Sequence, residues 1–261
     1  MPVNFCKNGV VAFPLQSIRD LIGRPVTFLV PRILEVIPDI AAMTVVTYRP
    51  APVLAERMQH DAAPPLPEIR KCAEFLHDQY GVGFWDAVFA LSMKRGDVNA
   101  KFVELALLHD ASPDEHDTLL ERAEITTDGL ERIIADAAPG YGVALSSRVV
   151  LAGGAIAHIP MLDFHCPHSA GLAALLKQAL LSMRQSRGVL VKSPRSYHYY
   201  GLELVSPEGL TAFLARALLI DPLVDARYIA HRLIDGVCRL RLGAVRNKGN
   251  APSIEDVIDA S

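Results

Sequence analysis

Nine prolines stand between positions 14 and 67: Pro14, Pro25, Pro31, Pro38, Pro50, Pro52, Pro64, Pro65 and Pro67. Each removes a backbone donor and restricts the residue before it, so residues 1 to about 66 admit only short helices and strands. The Pro64–Pro67 cluster reads as a hinge or connector. Beyond it, Ile69, Ala73 and Leu76, then Phe84, Val88 and Leu91, recur at helical spacing with a break at Gly81 and Gly83. This predicts a helix pair over Glu68 to about Met93. Residues 97–109 and 112–138 continue the helical pattern, and Ser112, Pro113 and Glu115 resemble a helix start, where a hydroxyl caps and proline fits the first turn.

The texture changes after Pro139-Gly140. Val143–Leu145, Val149–Leu151 and Ala155–Leu162 are short apolar or alternating runs separated by Ser146-Ser147 and Gly153-Gly154, which suits neighbouring strands. Ser169–Met183 reads as a helix, Gly188–Val191 and Tyr197–Leu204 as two strands turning near Pro194, Pro207–Leu219 and Asp225–Ile234 as helices, and Cys238–Leu242 as a final strand. The expected architecture is an α/β (α+β) protein: a mostly helical region over 1–140, an α/β core over 141–248 and a polar tail over 249–261.

With 51% apolar residues, 21% charged and a net charge of −3, the chain can bury a core, and disorder as its main state is excluded. No apolar run reaches the roughly 18–20 residues needed to span a bilayer, and the N-terminal stretch lacks the features of a secretory leader. A cytoplasmic protein is expected. Cys6, Cys72, Cys166 and Cys238 form no CxxC pair and read as free thiols. The charge is uneven: residues 97–136 carry 11 acids against 3 bases, and residues 184–248 carry 11 bases against 5 acids. Such runs usually mark solvated faces, yet the later one suits phosphates.

Three constellations carry candidate chemistry. In the stretch from His158 through Asp163, His165 and Cys166 to His168, strand alternation puts Asp163 and His165 on one face. A carboxylate and an imidazole there can share a divalent metal, Asp favouring Mg²⁺ or Mn²⁺ and His and Cys favouring Zn²⁺, or simply hydrogen-bond each other. From Lys192 to Gly201, Ser196, His198 and Tyr200 share one strand face, opposite Tyr197 and Tyr199; Arg195, Ser196 and His198 supply donors that grip phosphate oxygens. Asp225 opens a helical pattern as either an N-cap or the last carboxylate of a metal site. Arg239 and Arg241, sharing a strand face, with Lys248 beyond, offer cationic groups for phosphates.

Taken in order, Asp163-Phe-His165, Ser196-Tyr-His198, and Asp225 followed by Arg239-Leu-Arg241 resemble the three motifs of the archaeo-eukaryotic primase superfamily, which includes primase-polymerases and small primase-like bacterial proteins. The resemblance covers about residues 141–248. It implies a core sheet of the RNA-recognition-motif type, and a metal site of Asp163, His165 and Asp225 holding Mn²⁺ or Mg²⁺. It also implies nucleotide contacts from Arg195, Ser196, His198, Arg239, Arg241 and Lys248. The activity implied is metal-dependent joining of nucleotides on a DNA or RNA template. His165 departs from the pattern, standing where a second carboxylate is usual; it lowers the site's negative charge by one and favours softer metals. The alternative implied by that departure is a catalytically silent relative that binds nucleotides or nucleic acid, with protein partners in a defence or repair system. A third reading is an interaction protein whose acidic helical half docks a partner.

Overall fold

The computed structural model describes residues 15–50, 66–96, 100–107, 115–245 and 249–260. Pro64, Pro65, Ser112, Pro113, Cys6 and Lys248 lie outside them. The chain divides into two compact units, Met1–Arg49 with Asp114–Ser261, and Pro50–Pro113.

In the smaller unit the expected helix pair is present as α3 (Leu66–Tyr80) and α4 (Phe84–Arg95), followed by α5 (Ala100–Leu107). The chain breaks between α3 and α4 where Gly81 adopts a φ of +66°, a conformation that side chains with a Cβ disfavour. Ile69, Ala73, Trp85, Val88 and Phe102 form this unit's own core.

The larger unit holds two antiparallel sheets. Helices α1 (Gln16–Arg19) and α2 (Leu29–Val36) precede β1 (Ile40–Tyr48), a β-branched run framed by Pro38 and Pro50. β2 (His116–Glu121) pairs with β1, with Thr47 opposite His116. β3 (Gly142–Leu151) lies along the whole other side of β1. On β3's remaining edge, β8 (Arg239–Arg241) pairs with residues 144–146 and β4 (Ile156–His158) with residues 148–150. That edge therefore forks at Ser147. The second sheet has the order β5 (Met161–Asp163), β7 (Tyr197–Gly201), β6 (Arg187–Lys192), β9 (Ser253–Asp259). Helices α6 (Thr127–Asp136), α7 (Ala170–Ser182), α8 (Pro207–Ala217) and α9 (Ala226–Asp235) complete the unit, capped by Thr126, Ser169, Ser206 and Asp225 side chains. One hydrophobic core runs through both sheets, from Val45 and Leu145 to Leu190, Tyr199 and Phe213.

The chain is thus a mixed helix and sheet protein, as expected. From β5 to β8 the elements follow the order β-α-β-β-α-α-β; β5 pairs with β7 at the edge of the second sheet, and β8, which belongs to the first sheet, lies close to it. Gly188 in β6 sits under the Tyr199 ring, where a methyl group would collide. No described helix is long and apolar enough to cross a membrane.

Four details differ from the sequence reading. Val143–Leu145 and Val149–Leu151, read as strands separated by Ser146-Ser147, are the single strand β3. The helix expected over 112–138 is strand β2 followed by the shorter α6; β2 is a sheet edge with only Leu120 buried, so pairing with β1 creates a strand that has no alternating pattern of its own. The stretch 1–140, read as mostly helical, contributes β1 and β2 to the same sheet as β3. The polar tail forms β9, joined to β6 through a register shift; that bulge scrambles the two-residue periodicity of Ser253–Asp259.

Candidate functional site

Asp163 ends β5 directly opposite His198 of β7, with His198 Nε2 3.6 Å from Asp163 Oδ1. His198 is 2% exposed. On the other side of β5, an antiparallel bridge joins Phe164 to Val224, the His165 N–H donates to Leu223 O at 2.8 Å, and the Asp225 N–H donates to Asp163 O at 3.2 Å. The row His198, Asp163, Asp225 therefore brings together the three separate motifs. His165 lies beyond the end of β5, so the strand alternation that put it on the face of Asp163 does not extend to it.

The Asp225 carboxylate is engaged: Oδ1 accepts the Tyr228 N–H at 2.9 Å, capping α9. The sequence allowed either a cap or a metal ligand, and the structure uses the side chain as the cap. Among the described residues no group of three or more His, Cys, Asp or Glu side chains converges to hold a metal ion. Asp163 and Asp225 are joined through their backbones across adjacent segments, with Asp225 capping a helix and Asp163 lying beside the His198 ring. The cap uses one oxygen of Asp225, so its Oδ2 and the Asp163 carboxylate are the groups here that could hold the divalent ion the resemblance implied.

The cations divide. Arg241 is 5% exposed; its Nη1 donates to Gly243 O at 2.8 Å and Asn250 O at 2.9 Å, while Nε and Nη2 have no hydrogen-bond partner among the described residues. Burial pushes its pKa down, opposed by the nearby Tyr48, Asp163 and Tyr200, with Arg195 adding to the depression. Arg241 thus lies within electrostatic reach of Asp163. Tyr200, fully buried, has no partner for its hydroxyl among the described residues, and burial holds its pKa far above the ordinary phenol value. Arg239, two residues before Arg241, instead pairs with Glu115 and lines a separate polar cavity. Arg195 is exposed. Ser196 lies in the turn before β7, its Oγ 3.4 Å from Ser193 Oγ and its carbonyl accepting from His168 Nε2 at 2.7 Å.

Asp163, His198, Asp225 and Arg241 therefore meet, Arg239 does not join them, and Lys248 is outside the described residues. Sequence reasoning missed Tyr48, which β1 brings within electrostatic reach of Arg241 and Asp163 from more than a hundred residues away; no local signal marks it. The family model for archaeo-eukaryotic primase 1D-like proteins matches residues 121–252. That is just over half of the chain. The chain belongs to this family. The primase-like match takes in all three motifs and β3–β8, and leaves out β1 and β9. Neither the curated proteins nor the solved structures searched give a match.

Proposed function

We propose that this primase-like chain binds the phosphate groups of a nucleoside triphosphate at the cluster of Asp163, His198, Tyr200 and Arg241. What carries the reading is Arg241: a buried guanidinium with two nitrogens unsatisfied costs several kcal/mol unless an acceptor arrives, and a phosphate oxygen is the acceptor its fork matches. Arg195 and Ser196 at the rim add donors, and the His198 ring beside Asp163 can donate a hydrogen bond to a phosphate oxygen. The family supports the choice of a nucleotide over other phosphorylated ligands.

The test is calorimetric titration with ATP. Wild type binds, Arg241→Lys, which keeps the charge but loses the fork, binds at least about tenfold more weakly, and circular dichroism shows the variant folded. Absence of binding by any nucleoside triphosphate to the wild type overturns the reading.

One observation favours a second reading, nucleotidyl transfer on a nucleic-acid template. Asp163 and Asp225 are backbone neighbours, so Asp225 Oδ2 and the Asp163 carboxylate could share a divalent ion. Template-dependent incorporation with Mn²⁺ that is lost in Asp163→Ala supports it; nucleotide binding without incorporation leaves the binding module.

A further inference from the structure

β2 is the outer strand of the first sheet, paired on one side only among the described residues. Two hydrogen bonds fix which of its backbone groups face outward. The Glu121 N–H donates to Glu124 Oε2 at 2.8 Å and not to Ala42, its partner in β1. The Val143 carbonyl accepts the Leu242 N–H on the far edge of β3, so Thr47, its partner in β1, bonds in the opposite direction, towards His116. Antiparallel ladders alternate bonded and non-bonded pairs. His116, Thr118 and Leu120 therefore bond to β1, while Asp117, Leu119 and Glu121 turn their N–H and C=O groups outward.

Glu124 closes the edge at Glu121. At Asp117 and Leu119 no backbone hydrogen bond to another described residue occupies it. The register with β1 runs over His116–Glu121 without a bulge, and the strand contains neither proline nor lysine, the usual devices against strand addition. The side chains are equally open. Leu119 is 53% exposed, and Asp117 and Glu121, on the same face two residues to either side, are exposed as well. Arg148 and Arg239 share a cavity with Asp117, yet neither pairs with it; Arg239 is held by Glu115.

We propose that this edge takes an extended basic strand from a partner protein, which continues the sheet beyond β2. The outward N–H and C=O groups of Asp117 and Leu119 hold the main chain of the added strand. One basic residue stands opposite Asp117, another opposite Glu121, and an apolar one covers Leu119. The recognised pattern is basic-x-apolar-x-basic. A second copy of this chain does not match it: a two-fold axis at Leu119, the register that buries both leucines, sets Asp117 of each copy against Glu121 of the other, and like charges directly opposite repel. A nucleic-acid backbone has the wrong sign.

The experiment uses the full chain and a fluorescein-labelled peptide, Thr-Lys-Thr-Val-Thr-Lys-Thr-amide, whose pattern reads the same in either direction, with fluorescence anisotropy as the readout. The peptide binds saturably below about 1 mM, and its relative with glutamate in place of both lysines does not. Leu119→Pro, which an edge strand tolerates where the N–H points to solvent, weakens binding about tenfold or more. Asp117→Lys weakens it about threefold or more. Circular dichroism checks that both variants fold. N-methylation of the peptide valine removes the bond to Leu119 from the other side and weakens binding about tenfold whatever the variants do. Failure of the lysine peptide to saturate, equal binding of the glutamate peptide, or binding indifferent to N-methylation or to Asp117→Lys overturns the proposal. Sedimentation of the wild type as a dimer that Leu119→Pro dissolves assigns the edge to a second copy and overturns it too.

Discussion

Ser147 is fully buried at the point where β4 and β8 part company, and it makes four hydrogen bonds there. Its N–H donates to Cys238 O and its carbonyl accepts from Ile159 N–H, both at 2.8 Å, and its hydroxyl joins the Cys238 N–H and His158 Nδ1. Ser147→Ala keeps the two backbone bonds and deletes both side-chain ones, stranding a buried amide and a buried ring nitrogen. Each stranded group costs about 1–3 kcal/mol; because the hydroxyl no longer has to be desolvated itself, the net loss is about 2–4 kcal/mol. For a urea m-value of about 2 kcal/mol/M the unfolding midpoint falls by roughly 1–2 M with m unchanged. Tyrosine absorbance is the right probe, because Tyr197, Tyr199 and Tyr200 lie in this core, whereas Trp85 belongs to the other unit. Ser146→Ala is the control: its hydroxyl accepts only the Arg148 N–H, at 3.2 Å, and its loss costs about 1 kcal/mol. A midpoint shift for Ser147→Ala no larger than the control's would refute the claim that this hydroxyl holds the fork together.

Three further outcomes are expected. Asp225→Ala removes the α9 cap and lowers stability by about 1 kcal/mol, while Asp225→Ser restores most of it; equal melting temperatures for the two variants would show that capping is not what the carboxylate does. His158 has a pKa below its ordinary 6.5, so the unfolded chain binds more protons through that window. Its contribution is complete above about pH 6.5 and fades as the pH falls below it, and His158→Gln should flatten the stability profile between pH 7 and 5. Burial pushes the Cys238 thiol up to about 12, so iodoacetamide at pH 8 should label exposed Cys72 while sparing Cys238 until denaturant is added, with peptide mass mapping as the readout.

The parts of the fold that were legible in the sequence are those with a local cause. The helix pair announced itself through apolar spacing and Gly81, α8 through Pro207, α9 through Asp225. The site's row of His198, Asp163 and Asp225 was legible as three ordered motifs, because each lies at a strand or helix end where its identity is visible. What escaped notice depends on partners distant in the chain. β2 is a strand because β1 pairs with it, and β9 carries a bulge that disguises its inward face. Ala155–Leu162 looked like one apolar run, yet Ile159-Pro160 carries the chain from the first sheet to the second between β4 and β5. Arg148 was visible only as an interruption in an apolar stretch, and its register opposite His158 places it at the polar cavity.

The pairing of Thr47 with His116 has an architectural corollary. Antiparallel neighbours so closely juxtaposed need only a tight reverse turn to connect them, yet the intervening polypeptide is a self-contained helical cassette. Its exit and re-entry points are adjacent, so the β-scaffold does not depend on what is spliced there. Excising Pro50–Pro113 in favour of a short glycine-rich bridge should leave the forked strand and its polar hollow standing.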